Sequence, residues 1–184
     1  MFYCDRDLDL REISKPFHSK LKKIKVALFD VDGILTNGKV YWSGEEVGFN
    51  RFFHVRDGYG MKILKAAGLH VGIITGGDSV GVSKRMQGLG LDIVHMGNED
   101  KREAFDHVCS ATGCSDEEVL YMGDEFFDLP LLKRAGFSAT VPNASMEIRE
   151  GVDYVTHFGA GEGCAREVMD MLRYAQGIVP DIEH

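Results

Sequence analysis

The stretch Ile24-Lys25-Val26-Ala27-Leu28-Phe29-Asp30-Val31-Asp32-Gly33 decides how the chain is read. Its first six residues are a compact apolar run broken only by Lys25, with β-branched residues early, as in a buried strand. The run stops on Asp30, and Asp32-Gly33 follows, so two carboxylates and a turn residue stand where the strand ends. Asn37-Gly38 and Gly44 then mark turns on either side of Lys39-Val40-Tyr41-Trp42, and residues 47–55 form a second extended segment. That pattern predicts a β-hairpin projecting after the first strand.

Further out, the period changes. Residues 60–67 have helical spacing, with Met61, Leu64 and Ala67 on one face. Residues 69–74 read as a second buried strand, 79–89 as a helix, 91–95 as a short strand and 99–112 as a helix. A strand over 119–122 ends at Gly123-Asp124; a helix over 129–135, strands over 138–141 and 154–156 and a helix over 163–175 follow. Strands alternating with helices of this length predict an α/β fold, a doubly wound, Rossmann-like parallel sheet with helices on both faces.

The 184 residues correspond to one domain. Residues 1–22 are polar and turn basic, and are expected to form an N-terminal arm or short helix before a domain over 23–177 and a tail over 178–184. Hydrophobic residues are 44% and charged residues 27%, which opposes both a disordered and a membrane-embedded chain. The net charge of −8 disfavours nucleic acid and anionic membrane as partners. Asp5, Arg6, Asp7 and Asp9 stand where a signal peptide needs apolar residues, so a cytoplasmic location is expected. Cys4, Cys109, Cys114 and Cys164 form no C-x-x-C pair and are expected to be idle thiols.

In open α/β sheets, ligands bind beyond the carboxyl ends of the strands. Those ends carry Asp30 and Asp32, then Thr75-Gly76-Gly77, then Lys101 at the start of a helix, then Gly123-Asp124-Glu125 with Asp128 one turn on. Clustered carboxylates repel one another unless a cation sits among them. A hard ion such as Mg²⁺ takes oxygen ligands, which Asp30 and Asp124 supply, and usually keeps a substrate phosphate. Lys101 and Thr75 would face the phosphate oxygens, and the bare backbone N–H groups of Gly76 and Gly77 approach an anion closely. Each motif alone is weak; their succession at consecutive strand ends points to phosphoryl chemistry.

This order of motifs resembles the haloacid dehalogenase-like phosphohydrolases. The resemblance implies that Asp30 is a nucleophile and Asp32 a general acid/base, that Thr75 and Lys101 orient the phosphoryl group, that Asp30, Asp32 (through its backbone carbonyl) and Asp124 hold Mg²⁺, and that Asp128 supports the metal site. From about residue 23 to 177 the chain further resembles the 3-deoxy-D-manno-octulosonate 8-phosphate phosphatases. The likeness rests on Phe29-Asp30-Val31-Asp32-Gly33-Ile34-Leu35-Thr36-Asn37-Gly38, Val55-Arg56-Asp57-Gly58-Tyr59-Gly60, Ile73-Ile74-Thr75-Gly76 and Ala165-Arg166-Glu167-Val168. It implies a capless domain, a small sugar acid phosphate as substrate, and a homotetramer whose neighbouring subunits close each active site.

Arg56, Arg85 and Arg166 are the candidates for a substrate carboxylate, because arginine pairs bidentately with carboxylates; Arg56 leads, since it lies in the most specific stretch. His54 and His95 read as structural or solvent-exposed, and Phe49, Phe52 and Phe53 as core or subunit-interface residues. Gly77, Glu125, residues 159–163 and His54 depart from the family pattern, where substrate would be selected or a neighbour docked. A nine-carbon sugar acid 9-phosphate is therefore an alternative substrate. Two non-enzymatic alternatives are a phospho-receiver, opposed by Gly123-Asp124 following Lys101, and an inactive scaffold, opposed by the intact catalytic set.

Overall fold

Near the start of the described chain Asp9 is an N-cap, its carboxylate accepting the Arg11 N–H at 3.0 Å and starting α1 (Leu10–Ser14). In this computed structural model, which describes residues 8–180, α2 (His18–Leu21) follows after one 3₁₀ turn. Then come β1 (Val26–Phe29), β2 (Tyr41–Trp42), β3 (Phe49–Asn50), α3 (Val55–Ala66), β4 (His70–Ile74), α4 (Val80–Leu89) and β5 (Ile93–His95). The chain continues through α5 (Arg102–Thr112), β6 (Val119–Met122), α6 (Leu129–Arg134), β7 (Phe137–Thr140), α7 (Met146–Glu150), β8 (Tyr154–Val155) and α8 (Cys164–Gln176). Cys4, the first seven residues of the expected arm and residues 181–184 of the expected tail lie outside the described residues.

Six strands form one sheet in the order β5-β4-β1-β6-β7-β8, and every pairing is parallel. β1 is central, with Val26 level with His70 on one side and Val119 on the other. All its residues are buried, as in a parallel strand covered on both faces. From β1 the chain first winds outward through β4 and β5, then crosses back to β6 and winds the other way. This reversal is the topological switch at which such sheets bind ligands. Helix α8 packs against α1, α2 and α3, while α5 packs against α6. The core between these layers includes Phe29, Ile73, Phe105, Tyr121, Phe137 and Met171. The predicted doubly wound α/β sheet is thus present, and only the small antiparallel hairpin β2–β3 stands between β1 and α3.

Most elements lie within about three residues of the sequence reading, and two boundaries differ by more. The first long helix begins at Val55 rather than 60, because His54 Nδ1 accepts the Arg56 N–H and caps it. Gly60 is helical, as its spacing predicted, and its bare Cα lets Met169 and Arg166 of α8 pack against it. The segment expected to be extended over 47–55 keeps strand geometry only at Phe49–Asn50. Residues 10–21 are helical and lie on the body: Gln176 Nε2 donates to the carbonyls of Leu21 and Ile24 at 2.9 and 2.7 Å. Phe17 meets the rings of Phe137 and Tyr154 edge-on. Among the described residues no helix is long and apolar enough to cross a membrane.

Candidate active site

Asp30 is the residue after β1, and its N–H continues the ladder by donating to the Met122 carbonyl at 2.9 Å. The sheet therefore fixes its backbone, and its side chain is buried at the carboxyl rim. Lys101, at the N-cap of α5, reaches into the same place with its side chain fully enclosed. Its Nζ lies 2.9 Å from Asp30 Oδ1 and 2.6 Å from Asp128 Oδ1.

Asp128 is the organiser of the cluster. Its Oδ1 accepts from Lys101 Nζ and from the Tyr121 hydroxyl, both at 2.6 Å. Its Oδ2 accepts the N–H groups of Asp124 and Glu125 at 3.1 Å each. Burial and the facing carboxylates push the Tyr121 hydroxyl well above its ordinary pKa, so it remains a donor. Both Asp128 oxygens are thus occupied, and the turn after β6 is held so that Asp124 faces Asp30. Gly33, at φ +96°, completes the arrangement, since a Cβ there would collide with the Asp124 carboxylate.

One ammonium faces three carboxylates. Burial pushes Asp30 up to about 6 despite Lys101, with Asp128 adding to the shift. Burial, followed by Asp30 and Asp128, pushes Asp124 up to about 7. Asp124 Oδ1 is buried and accepts no protein hydrogen bond, and Asp30 Oδ1 has Lys101 Nζ beside it. Asp30, Asp124 and Asp128 each offer an oxygen within 4.8 Å of the others. Three clustered carboxylates against one ammonium, with the Asp124 oxygen unpartnered, are the donor set that a divalent cation satisfies, so these residues fit a metal ion.

Asp32 lies apart from this cluster and has its own partner. Arg51, just after β3, grips it with Nε to Oδ1 at 2.5 Å and Nη2 to Oδ2 at 2.7 Å. The Thr36 hydroxyl approaches Oδ1 at 3.2 Å. A Cβ on Gly77 would lie 3.0 Å from Arg51 Nη2, 3.3 Å from Asp32 Oδ2 and 3.8 Å from Thr75 Oγ1. Gly77 therefore leaves the space in which Arg51, Asp32 and Thr75 face one another. Thr75 is buried, anchored through its N–H to the His95 carbonyl at 3.0 Å, and Gly76 packs against Glu99. Beside Arg51 opens a cleft of about 540 Å³ lined also by Phe49, Asp78 and Ser79.

The structure therefore brings together Asp30, Lys101, Asp124 and Asp128, and separately Asp32, Thr75 and Gly77. The three candidate arginines gather elsewhere, about buried Asp57, whose charge all of them stabilise. Arg166 Nε is committed to Asp170 at 2.9 Å, and Arg85 lies over the Phe53 ring. Sequence reading missed Arg51 and Tyr121. Arg51 is 19 positions from Asp32, and no periodic pattern links a hairpin residue to a strand end. Tyr121 reads as one more apolar strand position, and only its hydroxyl betrays a polar partner.

Comparison with known proteins adds to this geometry. Residues 83–168 match a family model described as haloacid dehalogenase-like hydrolase. The 3-deoxy-D-manno-octulosonate 8-phosphate phosphatase of Salmonella typhi is 35% identical over 167 residues, 90% of this chain and 87% of that protein. Its namesake from Haemophilus influenzae is 36% identical over 160 residues, covering 86% of this chain and 87% of that one. The crystal structure of the Moraxella catarrhalis phosphatase of the same name, in complex with magnesium, phosphate and the KDO molecule, superposes with a TM-score of 0.83 at 34% identity, covering 88% of this chain and 92% of that chain.

Proposed function

Because the chain belongs to the 3-deoxy-D-manno-octulosonate 8-phosphate phosphatase family of haloacid dehalogenase-like hydrolases, we propose that it hydrolyses that sugar acid phosphate to the free sugar acid and phosphate. The observation that carries the reading is the buried Asp30 carboxylate at the end of the central strand, held against Lys101 and facing Asp124.

Asp30 attacks phosphorus in line, forming a new P–O bond as the bond to the sugar oxygen breaks. Asp32 gives that oxygen a proton, and an aspartyl-phosphate forms on Asp30. Asp32 then takes a proton from water as the water attacks phosphorus and releases Asp30. Lys101 and Thr75 stabilise the phosphoryl oxygens, together with the N–H groups of Gly76 and Gly77. Magnesium, held by Asp30, Asp124 and the backbone carbonyl of Asp32, would neutralise charge between nucleophile and phosphate. Asp128 keeps Asp124 and Lys101 in place. Arg56, at the exposed first turn of α3, is the arginine assigned to the substrate carboxylate.

The exposed hairpin supports an assembled form. Trp42 packs edge-on against Phe49, and Tyr41 stacks on Phe52, while Trp42 and Phe52 remain 54% and 69% exposed. A paired aromatic surface of this kind suits contact with neighbouring subunits, in a homotetramer whose hairpins help close the sites.

The test is magnesium-dependent phosphate release from a panel of sugar phosphates, with and without a chelator. Release from 3-deoxy-D-manno-octulosonate 8-phosphate, abolished by chelation, is expected. Preference for a nine-carbon sugar acid 9-phosphate would retain the reaction and replace the substrate, and no release from any ester would contradict the reading.

A further inference from the structure

Arg51 takes no part in the chemistry just described, yet its side chain is only 7% exposed and its guanidinium is fastened to Asp32. Arginine and carboxylate meet side-on, with one donor to each oxygen, the strongest and most directional form of this pair. Asp32 Oδ1 then has Arg51 Nε on one side and the Thr36 hydroxyl on the other. Asp32 Oδ2 has only Arg51 Nη2. An ionised carboxylate offers about four lone-pair directions, so the open one lies on Oδ2, the oxygen nearest the space above Gly77 and Thr75. The remaining guanidinium nitrogen, Nη1, is buried and has no protein acceptor. A buried N–H without a partner is costly, and an oxygen of an ester bound against Asp32 would supply the missing acceptor.

We propose that Arg51 is a positioning residue that aims Asp32 Oδ2 at the leaving oxygen and meets the bound ester through Nη1. The inference rests on the phosphatase reading and goes beyond it by naming the oxygen and the group that holds it. In the first step the P–O bond to the sugar breaks, its electron pair goes to the sugar oxygen, and the proton on Asp32 Oδ2 transfers to that oxygen. Asp32, left ionised, is received by the Arg51 fork. In the second step Oδ2 recovers a proton from the attacking water.

Because the role is proton delivery to the leaving group, it matters most when that group is a poor one. Arg51→Met should lower kcat about 10²-fold on the sugar acid phosphate, whose leaving group is an alkoxide, as expected of a misplaced general acid. The same variant should lose less than about fivefold on p-nitrophenyl phosphate, whose leaving group needs no proton. KM should rise for both esters. Arg51→Lys, which keeps charge without the fork, should fall between, and Thr36→Val should show the same ester-selective loss at smaller size. If Arg51→Met does not fold, as checked by its circular-dichroism melt, the lysine and Thr36 variants carry the test. Equal kcat losses on both esters, or none, would overturn the positioning role, and an unchanged KM would overturn the Nη1 contact. A wild-type protein that hydrolyses neither ester would overturn the phosphatase reading instead.

Discussion

Asp128 carries more of this site than its place beside the proposed metal ligands suggests. It neutralises Lys101, takes the Tyr121 hydroxyl and fixes two backbone N–H groups of the Asp124 turn. Asp128→Ala leaves these donors buried without their acceptor, and truncating one member of a buried ion pair costs about 3–5 kcal/mol. Urea denaturation should show a loss of that size, and an unchanged midpoint would refute the organising role. Gly33 makes a second prediction. Gly33→Ala places a side chain at φ +96° against the Asp124 carboxylate, so the magnesium concentration giving half-maximal phosphate release should rise at least about tenfold, as when a ligand loses its support. At this scale the sequence was informative where chemistry coincides with a strand end, as at Asp30, Asp32, Thr75, Lys101 and Asp124. It was silent on Arg51, because an ion pair across a hairpin leaves no periodic trace.

Helices α3 and α8 depend on each other through one buried carboxylate. Asp57 of α3 accepts the Arg166 N–H at 2.7 Å. It thereby caps the first turn of α8, whose own N-cap is Gly163 without a side chain. Its Oδ2 is buried without a partner. Burial pushes Asp57 from its ordinary 3.8 up to about 6, against the pull of the three arginines. The folded state therefore binds this proton more tightly than the unfolded chain between pH 3.8 and about 6. Stability present below that window is lost as pH rises through it, by up to about 3 kcal/mol. Asp57→Asn has no such proton to lose, so the stability difference between variant and wild type should shift in favour of the variant from pH 4 to pH 7 in paired urea titrations. A difference constant with pH would refute this account. The specific stretch Val55-Arg56-Asp57-Gly58-Tyr59-Gly60 marked this region in the sequence. Its helical state was read only from Gly60 onward; the start at Val55 is set by the His54 cap, and the two glycines let α4 pack against Gly58 and α8 against Gly60.

On the scale of the whole molecule, the alternation of strands and helices foretold the doubly wound sheet, and β6 was read to the residue. The strand order β5-β4-β1-β6-β7-β8 was not in the sequence reading, since periodicity reports which faces are buried and not which strands are neighbours. That order places β1 between β4 and β6, and so brings Asp30, Thr75 and Asp124 to one rim. Assembly is the other property at this scale. Light scattering should give four times the mass of one chain, and Trp42→Ser with Phe52→Ser should lower it while leaving the melting curve of the fold unchanged. A single-chain mass for the unmodified protein would contradict the tetramer. The proposed reaction makes Asp30 the nucleophile toward phosphorus, and rapid quenching tests that directly. The protein is mixed with phosphorus-32-labelled sugar acid 8-phosphate and magnesium, stopped in acid within milliseconds and digested. The account predicts label on the peptide bearing Asp30, decaying as phosphate is released, and none in Asp30→Asn. Phosphate release with no labelled peptide at any time, or with label on another residue, would contradict it.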